Sequence, residues 1–532
     1  MDVQEQAPPT ADGPVERYLA AVEGQSGNAP ATYAAPRGKR YPGSLRRQLR
    51  WPGPGAEPLG DSGLDRLSAL LLGYAPSRLE MLTTAGFSAL TGRPGADHGA
   101  ARFLPAWFTL RRDVPSGGAF YPAEVYLFWT GSAELSAGVY HYDNVHHCLE
   151  LLHDANPAAD LDRLLGGPTA EPRHALWLTC RPWKNAGKYR AFGYQLSTVD
   201  TGVLLGQFAV SPLAGRVRLD VDPVAADNLL GLDGEVESVL AVIELPGDAF
   251  AGPGAVSPAP GAVPIQVPVP TGLDADRLNL AGADPAALAL HREMSGRGDP
   301  RQQAHPSPAT PPGTVEPAAG ACPIELPAAT RLDLGTVRGR ASAGDLVPGL
   351  RIGQLADILV YASGRLAGSA ALADLVGHPR YPTLWCLVSQ VIGLAPGAYR
   401  YDPRLHVLAP SGGAADPRLP GAVPFGIDPR MSTAGATIFF VAGGHPPMRK
   451  LTPAALRHLH LLTGVAVQLS GLAGQAVGAA ARPVGGFSPQ AAAARLGLPD
   501  GELPIVQMLI GAPKTRAGSL AVAFTEGSSD AG

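Results

Sequence analysis

Apolar residues recur at helical spacing in four stretches of the chain, 64–74, 194–208, 352–362 and 454–472, which predicts four amphipathic or buried helices. Short β-prone runs at 125–129, 175–179, 239–245, 437–441 and 505–510 predict strands. Helices and strands alternate irregularly, and no G-x-G-x-x-G follows a strand, which argues against a dinucleotide-binding α/β domain. An α+β fold fits better. From Ala251 to about Pro327 the pattern lapses into Pro, Ala and Gly with few large apolar residues, so this segment reads as a semi-extended connector with a short helix around 284–294.

Similar strings recur on either side of that connector. Gly138-Val-Tyr-His-Tyr-Asp143 returns as Gly397-Ala-Tyr-Arg-Tyr-Asp402, and Leu230-Gly-Leu-Asp-Gly-Glu235 returns as Leu496-Gly-Leu-Pro-Asp-Gly-Glu502, each leading into a β-rich run. The offset grows from 259 to 266, so the chain reads as one unit of about 260 residues present twice in tandem. Domains are expected at 30–250 and 328–520, with the connector at 251–327.

The 532 residues are enough for two cores, and 42 Lys and Arg against 46 Asp and Glu give a net charge of −4 with no block of like charge. Nucleic acid is therefore not an expected partner. No apolar run approaches the length of a membrane span, and the N-terminus lacks a basic start and an apolar segment, which together predict a cytoplasmic protein without membrane contact. Cys148, Cys180, Cys322 and Cys386 are far apart, and no Cys/His spacing suits zinc, so neither a disulfide framework nor a metal site is expected. His146 and His147 read as surface residues after a turn. His458 and His460, two apart on a helix, do not face one another. Arg46, Arg47 and Arg50 read as a solvated face.

Pro115-Ser116-Gly117-Gly118 precedes a strand, and adjacent glycines let backbone approach a flat or phosphorylated ligand, although the same string makes an ordinary turn. Its context is more specific. PSGGAFYPAEVYLF, then AGVYHYD, then Lys188-Tyr189, Gly193-Tyr194 and Asp200-x-Gly202 resemble the SagB-type (McbC-like) flavin dehydrogenases of the nitroreductase superfamily, over most of both halves but not the connector or the first ~30 residues. The resemblance implies two fused nitroreductase-like domains, each an antiparallel sheet flanked by helices. It also implies FMN as cofactor and an azoline-containing precursor peptide as substrate, oxidised from thiazoline or oxazoline to thiazole or oxazole with O2 reoxidising the flavin. A place in a cyclodehydratase complex is the accompanying partner expectation.

The second half resembles the family through other pieces. Arg338-Gly-Arg340 is similar to the basic motif that holds the FMN phosphate, Arg482-Pro-Val-Gly485-Gly486-Phe487 to the glycine-rich segment beside the isoalloxazine, and Pro513-Lys514-Thr-Arg516 to the C-terminal basic pair. Clustered cations suit a dianionic phosphate. Each half lacks what the other keeps: the first has Arg-Trp-Pro-Gly from Arg50, Ser211-Pro-Leu-Ala-Gly-Arg-Val-Arg, and Pro-Gly-Asp after Leu245. The second has His378-Pro-Arg-Tyr-Pro-Thr383 and Lys450-Leu451. In the homodimers of this superfamily the resemblance places FMN at the subunit interface. We therefore expect an intramolecular pseudo-dimer carrying one FMN between Pro115–Gly118 with Lys188-Tyr189 on one side and Arg338, Arg340, Arg482, Gly485, Gly486, Lys514 and Arg516 on the other.

In the implied reaction a ring proton leaves to a base and a hydride leaves to the flavin. Lys188 with a lowered pKa, or Tyr189 assisted by it, is the candidate base, and the sequence leaves the two roles open. Two other readings stand beside this one. An NAD(P)H-dependent nitro or quinone reductase would not need the Lys-Tyr pair, and a catalytically silent scaffold for a cyclodehydratase or leader peptide would need no flavin.

Overall fold

The computed structural model describes residues 13–25, 37–51, 62–82, 107–167, 173–250, 269–298, 322–343, 346–366, 368–411, 433–443 and 447–513. The first half forms an antiparallel sheet in the order Arg46–Gln48, Cys148–His153, Gly138–Asp143, Ala123–Trp129, Arg173–Cys180, Ser238–Pro246, Val217–Arg218. The second half repeats its centre: Val407–Pro410, Gly397–Asp402, Thr383–Val388, Ala436–Ala442 and Leu503–Pro513 lie side by side in the same succession. Every predicted strand and helix coincides with an observed element, except that the helix expected over 64–74 ends at Leu71.

The recurrent strings fold into the same local structures. In each half a Tyr-x-Tyr-Asp strand enters a hairpin whose Asp accepts backbone N–H groups of the turn, Asp143 from Val145 and His146, Asp402 from Arg404 and Leu405. The His that ends the turn has positive φ and bonds the preceding Tyr hydroxyl, His147 to Tyr142 at 2.7 Å and His406 to Tyr401 at 2.8 Å. His147 is thus buried, not on the surface as expected; it also reaches the Ser68 hydroxyl at 2.8 Å, and burial lowers its pKa to about 4. Leu230 and Leu496 each close a helix on a left-handed glycine, Gly231 and Gly497, where only glycine is unstrained.

Two long helices join the halves. Trp183–Ala209 and Pro453–Ala476 are buried along most of their length, as their apolar character on all sides requires. Their contact is self-complementary. A side chain on Gly202 would strike the Leu461 carbonyl oxygen, and one on Gly464 would strike that of Val199, the same pair of positions in mirrored roles, since 461 and 464 lie 262 residues after 199 and 202. Gln468 donates to Gln207 at 2.6 Å beside this crossing. Gly464→Val should therefore cost about 3 kcal/mol, the upper end for overpacking, read as a lower urea midpoint. Gly353→Ala, where a new methyl meets nothing within 4 Å, should leave the unfolding free energy within about 1 kcal/mol of wild type.

Part of the expected connector belongs to the first half. Asp274–Ala281 and Pro285–Met294 are helices, the second capped by Asp284 as its sequence suggests. Asp276 pairs with Arg181 at 2.5 Å, Asn279 donates to the Trp183 carbonyl at 3.1 Å, and His291 meets the Tyr194 hydroxyl at 3.2 Å. These polar anchors hold helices too poor in large apolar residues to be recognised as core. At the connector's other end Ile324–Glu325 pairs with the second-half strand at Val407–Leu408, and 251–268 and 299–321 lie outside the described residues.

Candidate active site

Pro115–Gly118 leads into the strand Ala123–Trp129 through a strained turn. Gly118, Ala119 and Tyr121 have φ of +65°, +59° and +49°, a conformation that costs free energy for the two non-glycine residues. Asp200, on the first long helix, holds the turn in place: its Oδ2 accepts from the Ser116 hydroxyl at 2.6 Å and from the Gly117 N–H at 2.9 Å. Asp200-x-Gly202 thus has two jobs three ångströms of helix apart, anchoring the turn and crossing the other half.

Burial pushes the Asp200 carboxyl up to about 7, against the pull of its two donors. A raised carboxyl favours the protonated fold, so its stabilising effect is complete below the ordinary value of 3.8 and is lost as pH rises through about 7. Wild type should lose stability across that window relative to Asp200→Asn, and parallel denaturation midpoints for the two would contradict the assignment.

Lys188 and Tyr189 end the first segment of the Trp183–Ala209 helix, which breaks at Arg190 with φ +52° and ψ −133°. The chain then folds back so tightly that a Cβ on Gly193 would stand 2.7 Å from the backbone of Asn185 and Ala186, which accounts for the glycine of Gly193-Tyr194. The kink aims Tyr189 at the Pro115 turn: a Cβ on Gly118 would lie 3.0 Å from the Tyr189 hydroxyl. Lys188 Nζ lies 5.1 Å from the Tyr189 ring centre and 5.8 Å from that of Phe120, and desolvation lowers its pKa.

The helix Pro14–Glu23, which nothing in the sequence tied to this region, clamps the kink. Gln25, just past it, donates to the Tyr189 carbonyl at 2.9 Å and accepts from Phe192 N–H at 3.3 Å, while the Tyr18 hydroxyl donates to the Ala191 carbonyl at 3.1 Å. Glu23 pairs with Arg449 of the other half.

The second half meets this turn at two places. Gly339 N–H donates to Asp113 Oδ2 at 2.9 Å and Arg340 Nε to the Asp113 carbonyl, so Arg338-Gly-Arg340 lies two residues from Pro115. On the other side, Leu196 is shared: a Cβ on Gly117 would stand 3.3 Å from it and a Cβ on Gly485 2.9 Å. Gly485 also abuts Phe192, and its neighbour Gly486 continues the segment toward the buried Phe487. Arg338 is exposed and bonds the Gly335 and Val337 carbonyls of its own loop. Arg482 donates to the Ala343 carbonyl at 2.9 Å. Lys514 and Arg516 lie outside the described residues.

At the pseudo-equivalent position, His378 packs edge-on against His458 at 5.1 Å, and His458 meets the Leu219 carbonyl at 3.1 Å. Among the described residues no group of His, Cys, Asp or Glu is arranged to hold a metal ion, and no helix is long and apolar enough to cross a membrane. The four cysteines are free thiols.

No family profile matches the chain. A nitroreductase-type protein of Anabaena variabilis superposes over 95% of this chain and all of its own length with a TM-score of 0.66 at 19% identity. The fold is therefore the nitroreductase fold, present twice in one chain. In sequence the chain is similar to the microcin B17-processing protein McbC of Escherichia coli, 34% identical over 101 residues, or 18% of this chain and 37% of McbC. A solved structure of the E. coli microcin synthetase McbBCD complex with truncated pro-MccB17 bound overlays 38% of this chain and 79% of its own matched chain at 17% identity with a TM-score of 0.28.

Gly117, Gly118 and Gly485 bring backbone of both halves close against Leu196, Tyr189 and Phe192, and the Arg338 loop meets the same turn through the Gly339–Asp113 bond; this glycine-lined cradle with cations beside it has the residue types an FMN site would use.

Proposed function

We propose that this chain is an FMN-dependent dehydrogenase that oxidises thiazolines or oxazolines of a ribosomally made peptide to thiazoles or oxazoles. The observation that carries the reading is the kink at Arg190, which sets Tyr189 against Gly118 and Lys188 beside Phe120, next to the place where Gly117 and Gly485 both pack against Leu196. A reductase acting on small nitro compounds or quinones has no use for a base held there, and the similarity to a microcin-processing protein favours a peptide.

Bound there, FMN would supply the acceptor for the hydride. Arg338 and Arg340, with Arg482, Lys514 and Arg516, would hold its phosphate side, and Pro115, Ser116, Gly117, Gly118, Gly485 and Gly486 would flank its ring. The base takes the ring proton of the azoline. Lys188 is suited to this because desolvation disfavours its charged form, and Tyr189, within a strained and clamped turn, orients the ring or takes the proton itself. Two hydrogens leave the substrate, one as proton and one as hydride, and the ring becomes aromatic. Incubation with a thiazoline peptide should give a product lighter by two hydrogens per ring. Rapid flavin bleaching by NADPH with no azole formed would instead select the reductase.

A further inference from the structure

Beside the strained turn lies a cavity of about 110 Å³ lined by first-half residues. Five cationic side chains line it, Arg37, Lys39, Arg40, Arg112 and Lys184, against two carboxylates, Glu124 and Asp143. Much of this charge is already matched. Lys39 pairs with Glu237 at 2.6 Å, Glu124 with Arg181 at 2.7 Å, and Asp143 with His146 at 2.6 Å. Lys184 donates to the Tyr121 carbonyl at 2.9 Å and reaches Glu124 at 3.3 Å, the same carboxylate that Arg181 already holds.

Arg112 differs from the others. It is 7% exposed, its Nε donates to the Tyr74 carbonyl at 2.8 Å and its Nη2 to the Asn144 amide oxygen, and its guanidinium lies 3.9 Å from the Tyr121 ring centre. All these partners are neutral, and among the described residues no carboxylate lies within 4.0 Å of it. A buried guanidinium without an anion is costly, and Lys184 lines the same cavity. Burial, the neighbouring Arg181 and, more weakly, Arg112 lower the Lys184 pKa to about 8, which an anion in the cavity would reverse. Phe120 forms part of the lining and carries Lys188 on its ring, so the cavity stands one side chain from the candidate base.

We propose that this cavity is a subsite for a carboxylate of the peptide substrate, held by Arg112 and Lys184 with Arg37 and Arg40 at its exposed mouth. The assignment to substrate rests on the peptide dehydrogenase reading above. A monoanionic carboxylate on a short stem suits the volume, whereas a dianionic phosphate would be set against Glu124 and Asp143 in the same lining. The positive φ of Tyr121 serves the subsite directly, since it turns the ring under Arg112 and the carbonyl toward Lys184.

Calorimetric titration of the full chain with N-acetylglutamate and with N-acetylglutamine tests this. The acid should bind and the amide should not. Arg112→Gln should weaken the acid about tenfold or more, as loss of a charge-assisted contact does, and Arg37→Ala with Arg40→Ala, at exposed positions that do not threaten the fold, about threefold. Equal binding of acid and amide, unchanged affinity in both variants, or displacement by inorganic phosphate at equal affinity would overturn the carboxylate assignment. Flavin absorbance read on the same samples separates the two claims. A flavin-loaded chain that ignores the acid sinks the subsite alone, and a flavin-free chain that binds it removes the substrate assignment.

Discussion

Lys188→Ala and Tyr189→Phe should each lower azole formation by about two orders of magnitude or more, the usual contribution of a positioned base, while the yellow cofactor stays bound. The expectation follows from position. Both residues stand at a kink that is strained at Arg190, tied to Gln25 by two hydrogen bonds and pressed against Gly118, an arrangement that fixes their direction within the range proton transfer needs. Neither residue belongs to the loops assigned to the phosphate. Comparing the pH profiles of the two variants separates the roles: if Lys188 is the base, Tyr189→Phe keeps the wild-type acid limb, and if Tyr189 is the base, it does not. Full activity in both variants would remove the base assignment.

Arg338→Ala combined with Arg516→Ala should raise the dissociation constant of FMN by about a hundredfold or more, since each charge-assisted contact to a phosphate contributes about 1.5–3 kcal/mol. Among the described residues Arg338 hydrogen-bonds only carbonyls of its own loop, 2.7 Å to Gly335 and 3.1 Å to Val337, so replacing it removes charge beside the Pro115 turn without dismantling the Gly339–Asp113 tie. Fluorescence titration of the apoprotein with FMN checks it. Wild-type affinity in the double variant would show that these cations do not hold the phosphate.

The sequence was most legible where one half repeats the other. The two Tyr-x-Tyr-Asp strings, the two Leu-Gly helix ends and the two buried helices all announce themselves by local chemistry, and all appear in matching places. What could not be read depends on partners distant in the chain. Asp113 is an acid before a turn until Gly339 and Arg340 arrive 226 and 227 residues later. Leu196 looks like any apolar helix residue, and only the fold puts Gly117 and Gly485 on either side of it.

The buried charges share this cause. Nothing local marks Arg112, Arg181 and Lys184 as buried, because what surrounds a buried cation comes from distant parts of the chain, and Arg181 finds its partners in Glu124 and Asp276, 57 and 95 residues away. Residues 14–23 carry no family motif, yet their helix joins both halves through Tyr18 and Glu23. His147 was misread for a similar reason, since nothing local shows that Ser68 and Tyr142 enclose it.

The two halves are proposed to share one flavin, held between the Pro115 turn of the first and the Arg338 and Gly485 segments of the second. Denaturing a weighed quantity of pure, flavin-saturated protein and counting the released FMN tests this directly. The account predicts one FMN per chain, and two per chain, or none, would contradict it.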